Sequence, residues 1–327
     1  ELIYSTYVHF HYLRFLEYFF LYLTLSKKIN QELIYNVAIT TLMFQLLLTI
    51  IFIFSDDFFS LGLSSRARGT SAGPWELTMM LGVLYLIIFD YLKKLGLNFF
   101  SFVNSLILFF IILVAKSRIV LIAFIYVIIY KNFKRLILFS PFLIAIYILL
   151  NQNIYEILNE IYPLRYFQIQ TSLNFFRDYG EMIIENWMVG DFYLGEGGRF
   201  FDSSSLIYDP SLVGRLQQWG RYLEIMFNSD LMIFAILFGS GPGSGGIIND
   251  GMYIKLLVDF GLIGLIGYLV FMIKIFIKKK EVRFLIIFIS ICCLTLDFYW
   301  PTKIAYSCVL ALCYFGKENY KAKARNK

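Results

Sequence analysis

Residues 253–280 read YIKLLVDFGLIGLIGYLVFMIKIFIKKK, and the fold class turns on that stretch. Between Tyr253 and Ile277 the only charges are Lys255, Asp259 and Lys274, and the run closes on Lys278, Lys279 and Lys280. About 20 mainly apolar residues suffice for a helix to cross a bilayer. Lysines crowded at one end of such a run mark its cytoplasmic side. The stretch reads as a membrane-spanning helix.

The rest of the chain is built the same way. Its 327 residues are 59% hydrophobic and 16% charged, with a mean hydropathy of +0.69. A soluble domain holds about 45–50% apolar and about 25% charged residues. With 35 Phe, 24 Tyr and 4 Trp as well, the composition excludes an ordinary soluble globule, a disordered chain and a disulfide-stapled secreted domain. Spans are expected at roughly 8–25, 33–54, 74–92, 99–115, 119–130, 135–150, 253–277, 282–298 and 301–316, and the apolar piece 231–238 is too short to cross alone. The expected fold is all-α, a polytopic transmembrane helix bundle of about nine spans with a large, partly helical outer loop. Residues 1–150 form transmembrane helices with short loops, 151–252 the outer loop with a membrane-dipping glycine-rich segment, and 253–327 three spans and a basic cytoplasmic tail. The chain opens on Glu1 rather than Met, and its sidedness calls for further spans ahead of it, an even total such as ten or twelve.

Threading nine spans puts Lys27-Lys28, Lys93-Lys94, Lys131/Lys134/Arg135, Lys278–Lys280 with Arg283, and the tail from Lys317 on one side, the cytoplasmic one. The arginines run the other way. Eight of 12 fall outside: Arg66, Arg68, Arg118, Arg165, Arg177, Arg199, Arg215 and Arg221. A guanidinium is a flat, always-charged fork that meets phosphate oxygens two at a time, which an ammonium does not. Arg165, Arg177 and Arg199 have a second use, pairing with loop acids such as Asp178 or Glu185.

In the outer loop, 163–188 reads as an amphipathic helix and 211–228 as a second, with Leu212, Leu216, Leu223, Ile225 and Phe227 as its apolar positions. Loop aromatics such as Trp187, Trp219 and Tyr222 serve an interfacial belt or stack on sugars. Gly241-x-Gly243-x-x-Gly246 spells a dinucleotide fingerprint, but no strand precedes it, so no dinucleotide site is expected. That glycine run either turns N–H groups toward an anion or lets the chain re-enter the membrane. Cys292, Cys293, Cys308 and Cys313 sit in apolar stretches as small fillers, and His9 and His11 are the only histidines, so no zinc site is expected.

Charges inside spans are suspects for function. Arg14 with Glu17, and Lys255 with Asp259, are a turn apart; with Glu76, Asp297 and Lys303 they outline a polar cavity opening outward, Glu76 and Lys303 reaching to the interface. Three outward arginine sites (Arg66 with Arg68, Arg118, and Arg215) and the carboxylate of Asn249-Asp250 suit a lipid-linked pyrophosphate donor. Arginines would neutralise the leaving pyrophosphate while the carboxylate takes a proton from an attacking sugar hydroxyl, with no metal and no cofactor needed.

Arg66-x-Arg68-Gly69 ahead of Pro74, Ser117-Arg118-x-x-x-Ile122, Arg215-Leu216-x-x-Trp219, Phe238-Gly239-x-Gly241, and Asn249-Asp250-x-x-Tyr253 followed by Phe260-Gly261-Leu262-Ile263-Gly264 occur in that order. In these pieces the chain resembles the O-antigen polymerase and O-antigen ligase superfamily of polytopic glycosyltransferases, over about 60–280. The resemblance implies a metal-independent, inverting transfer of an undecaprenyl-pyrophosphate-linked glycan at the outer face of a bacterial inner membrane. Ligases of this group tend to carry a histidine near the Asn249-Asp250 position; here the outer loop has none, which favours a polymerase. The expected roles follow. Asp250 and Arg215 are catalytic, with Glu224 and Asp259 as fallback carboxylates; Arg66, Arg68, Arg118, Arg221, Trp219, Asn249 and Tyr253 bind pyrophosphate or glycan. Arg215 and Arg221 are about 120° apart around a helix, so Arg215 ranks first. Expected partners are lipid-linked oligosaccharides, membrane lipids and a chain-length regulator protein, not nucleic acid. A ligase acting on lipid A core, and a transporter of the same lipid-linked units, are the alternatives.

Overall fold

The structure, a computed structural model, describes residues 16–26, 29–54, 69–71, 73–115, 117, 119–129, 215, 219–220, 222–224, 226–227, 231–241, 251–296 and 302–316. Among these residues there is no strand. The helices are α1 (Leu16–Ser26), α2 (Gln31–Phe54), α3 (Pro74–Lys94), α4 (Asn98–Val114), α5 (Ile119–Ile129), α6 (Met232–Phe238), α7 (Met252–Lys278), α8 (Arg283–Cys292) and α9 (Thr302–Gly316). The described positions between 215 and 227 are helical too.

Three helices, α2, α3 and α7, are long and apolar enough to cross a membrane. The expected count of nine is not reached among the described residues. At 1.5 Å per residue, the 10 residues of α8 and the 15 of α9 fall short of a bilayer's thickness. Hydropathy runs on past such helices where the backbone does not: the expected span 282–298 already turns at Cys293–Thr295. The expected span 135–150 and the helix 163–188 lie outside the described residues.

Helix α3 is the hub. Pro74 takes its first position, where a missing N–H costs nothing. Its far end closes with Gly96 N–H on the Lys93 carbonyl and Leu97 N–H on the Leu92 carbonyl, a glycine-terminated cap with two lysines in the last turn. Helices α2, α4, α8 and α9 pack around it. Helix α2 offers Ile34, Ala38, Leu42, Gln45, Thr49 and Phe52, all buried and spaced four, four, three, four, three. Helix α4 turns Ser101, Asn104, Leu108 and Ile111 inward and Phe99, Phe102 and Leu106 outward. Helix α8 drives the Phe288 ring onto Gly82 of α3, where no side chain could coexist with it.

Coverage is inverted relative to a soluble protein. Of the α3 span 78% is buried, against 22% of the more apolar α7 span. Leu262, Ile266, Val270, Phe271 and Ile277 of α7 stand exposed, an arrangement that suits lipid as the solvent.

The bundle has two distinct ends. At one, Tyr314 of α9 ties three helices together: its hydroxyl donates to Asp90 of α3 at 3.1 Å, and its carbonyl accepts from Gln31 Nε2 of α2 at 3.0 Å. Lys94 pairs with Asp90 at 2.5 Å and lies over the Tyr314 ring. The 3₁₀ turn Lys280–Val282 packs on α9 as well. Three of the expected cytoplasmic clusters thus have their helix ends together. At the other end are the starts of α3, α7 and α9 and the turn after α8, where Met252 N–H reaches the Cys293 and Leu296 carbonyls.

Candidate functional site

The end without the lysine clusters is assembled around α7, and α7 is broken. Gly261 has φ 68 and ψ −169, so the run that reads as one continuous span is two helices meeting at that residue. Helix α6, seven residues long as its short apolar run predicts, drives its C-terminus into the break. Ser240 N–H donates to the Val258 carbonyl at 2.8 Å, the group an unbroken helix offers to residue 262. A β-carbon on Gly239 would overlap the Asp259 carbonyl, and one on Gly261 would overlap the Leu237 carbonyl. The two glycines let two backbones touch. Phe238-Gly239 and Phe260-Gly261, two of the motif pieces, therefore meet in space and have a packing reason to be what they are.

Above the break, Met252, Lys255, Leu256 and Asp259 share the buried face of α7, with Asp259 1% exposed and Lys255 4%. Glu76, in the first turn of α3, is 5% exposed. Glu76, expected at a span end, is thus buried within the protein. Buried charges in an apolar layer are costly and seldom structural ornaments.

Trp219 stands over the start of α7. A β-carbon on Gly251 would lie 3.0 Å from the indole Nε1, so Gly251, at φ 129, leaves room for the ring. Arg215 precedes Trp219 by one turn and is half-buried. The buried side of this helix runs through Gly220, Tyr222 and Met226, while Phe227 is exposed. Of the apolar positions expected here, Leu223 is half-buried and Phe227 is exposed, while Tyr222 and Met226 beside them are the buried ones. Tyr253 donates its hydroxyl to the Ser290 carbonyl at 3.0 Å and fastens α7 to α8.

A second anchor sits at Thr70. Its N–H and hydroxyl meet the two ends of the Gln45 carboxamide, and the Lys303 ammonium donates to its carbonyl. Glu17, expected to face Arg14, accepts from the Tyr306 hydroxyl.

Of the sequence-predicted site residues, Arg215, Trp219 and Tyr253 are described, and Trp219 and Tyr253 converge on the first turn of α7. The side chains of Arg66, Arg68, Arg118, Arg221, Asn249 and Asp250 lie outside the described residues. Their described neighbours Gly69–Ser71, Ser117 and Gly251 belong to the same end, since α3, α4 and α7 run between that end and the lysines. Of the fallback carboxylates, Asp259 is buried at the break and Glu224 is half-buried. Sequence reasoning missed Gln45, the Thr70 anchor and the break at Gly261. A glutamine inside an apolar helix was the available signal for the first. The four cysteines are buried and joined by no disulfide, and Cys293 Sγ lies 3.6 Å from Met252 Sδ.

Comparison of the chain with protein-family models, curated proteins and solved structures finds no match.

Proposed function

We propose that this chain is a polysaccharide repeat-unit polymerase of the O-antigen polymerase and ligase type. In this reading it is a bundle of about nine spans in a bacterial inner membrane. The lysine end faces the cytoplasm and the Trp219–Gly251 end faces the periplasm. The observation that carries the reading is the gathering, at one end, of the described flanks of motif segments far apart in sequence. Gly69, Ser117, Trp219 and Gly251 are drawn to the end that lacks the lysine clusters.

The chemistry is a glycosyl transfer. The acceptor hydroxyl attacks the anomeric carbon of the donor, and its proton passes to the Asp250 carboxylate. The bond from that carbon to the pyrophosphate oxygen breaks, and undecaprenyl pyrophosphate leaves with its charge held by Arg66, Arg68, Arg118 and Arg215. Attack opposite the leaving group inverts the anomeric centre. Trp219, Asn249 and Tyr253 line the glycan path, and Arg221 stands in reserve for the second pyrophosphate.

Arg215→Lys tests the reading. The charge stays while the fork geometry goes, and loss of one such donor costs about 10²-fold in rate. Polymer length should collapse in cells carrying the variant, and an unchanged length distribution would overturn the role. The ligase alternative predicts the opposite deletion phenotype, no repeats attached to the acceptor instead of single repeats.

One observation favours a reading of another class. Broken membrane helices are how many transporters build substrate sites, and α7, broken at Gly261 with the short α6 docked at the break, has that form. Purified protein that lengthens lipid-linked repeats in detergent, with no membrane to cross, would eliminate transport alone.

A further inference from the structure

One residue has three of its polar groups taken by two distant side chains. Thr70 N–H donates to Gln45 Oε1 at 3.3 Å, Gln45 Nε2 donates to Thr70 Oγ1 at 2.7 Å, and the Lys303 ammonium donates to the Thr70 carbonyl. Gln45 belongs to the middle of α2 and is 3% exposed. Lys303 belongs to the first turn of α9, 233 residues away from Thr70. Gly69 lies against the same carboxamide, at φ +54, and a β-carbon there would overlap Gln45 Oε1.

Packing α2 on α3 does not require this. Leu42 at the neighbouring seam position shows that an aliphatic side chain does that work. A buried carboxamide spent wholly on one loop residue is a device for fixing that residue. Thr70 follows Arg66-x-Arg68-Gly69 directly, and two peptide units separate it from Arg68, a reach of about 7 Å between α-carbons.

We infer that Gln45 and Lys303 are positioning residues. By holding Thr70 from two sides they fix the chain directly after the Arg66-x-Arg68-Gly69 motif, beside the pyrophosphate site proposed at that end of the bundle. Gly69 is glycine because the carboxamide that grips Thr70 occupies the space of a side chain. The inference rests on the pyrophosphate reading proposed above.

The test measures affinity for inorganic pyrophosphate and for farnesyl pyrophosphate, alongside thermal unfolding, on the full chain in detergent. Gln45→Leu and Lys303→Met are compared with Lys303→Arg and with Gln31→Leu, which removes a like bond from the lysine end. The expected result is at least about tenfold weaker binding for Gln45→Leu and Lys303→Met, the size of losing one charge-assisted hydrogen bond to the probe. Lys303→Arg should recover binding, and Gln31→Leu should lower the unfolding temperature while leaving affinity alone. If the unaltered protein binds neither probe, the pyrophosphate reading falls and takes the inference with it. If it binds and all variants bind equally, the inference alone is overturned. Equal loss of affinity in Gln31→Leu, or no recovery in Lys303→Arg, reduces the anchor to a structural pin and overturns it too.

Discussion

A single methyl group at position 261 would strike the Leu237 carbonyl, and the backbone there has a positive φ that L side chains avoid. Gly261→Ala should therefore lose about 1–3 kcal/mol from backbone strain, and more as α6 is displaced. Gly267, six residues and under two turns beyond Gly261, has open space around its α-carbon and gives the contrast. Gly267→Ala should be neutral or gain up to about 1 kcal/mol from helix propensity. Unfolding in detergent, monitored by circular dichroism, separates the two, and equal effects would mean that α6 does not need the seam. Before the fold is known, Gly261, Gly264 and Gly267 look alike. What distinguishes Gly261 is a carbonyl from residue 237, and nothing in its neighbours in the chain announces that. Glu76 was visible as a charge near a span end, yet its burial depends on what surrounds the start of α3.

At the scale of elements, helical character carried well and boundaries did not. The buried positions of α2 fall on a helical seam with Gln45 and Thr49 as polar members. Leu33, Val37, Phe44 and Leu47 outside it are just as apolar, so the sequence did not announce which face packs. The end of α8 was hidden because Leu294 and Leu296 keep the stretch apolar while the chain turns. Lipid makes the same sequence signal stand for two environments: an outward Phe and an inward Phe both read as hydrophobic. Phe288 is 1% exposed and fills the hollow over Gly82, whereas Phe102 is 60% exposed. Lipid tails are as apolar as a leucine, so what Phe288→Ala removes is packing, about 2 kcal/mol or more for the cavity left behind. Phe102→Ala should stay within about 0.5 kcal/mol. Denaturant unfolding in mixed micelles reads both, and a large loss for Phe102→Ala would mean that its face is covered by protein.

For the whole molecule, the division into two ends is the testable property. Cysteines introduced at Lys94 and Lys279 should be modified by a membrane-impermeant maleimide from one side of intact vesicles, and cysteines at Ser71 and Thr302 from the other. The native Cys292, Cys293, Cys308 and Cys313 are all buried, so their background should be slow. Labelling of Lys94 and Lys279 positions from opposite sides would break the shared lysine end. That end was legible beforehand from the lysine clusters alone, because charge asymmetry is a property of composition. The opposite end was legible only as a set of motif fragments, because what joins them is the path of α3, α7 and α9. The Tyr314 fastening has a consequence for how the protein is made. Asp90 and its hydroxyl partner are 224 residues apart, so the central helix enters the bilayer with one flank unfinished and waits through most of translation for the segment that seals it. A premature stop ahead of Thr302 should yield a chain that inserts, never matures, and is handed to membrane quality-control proteases.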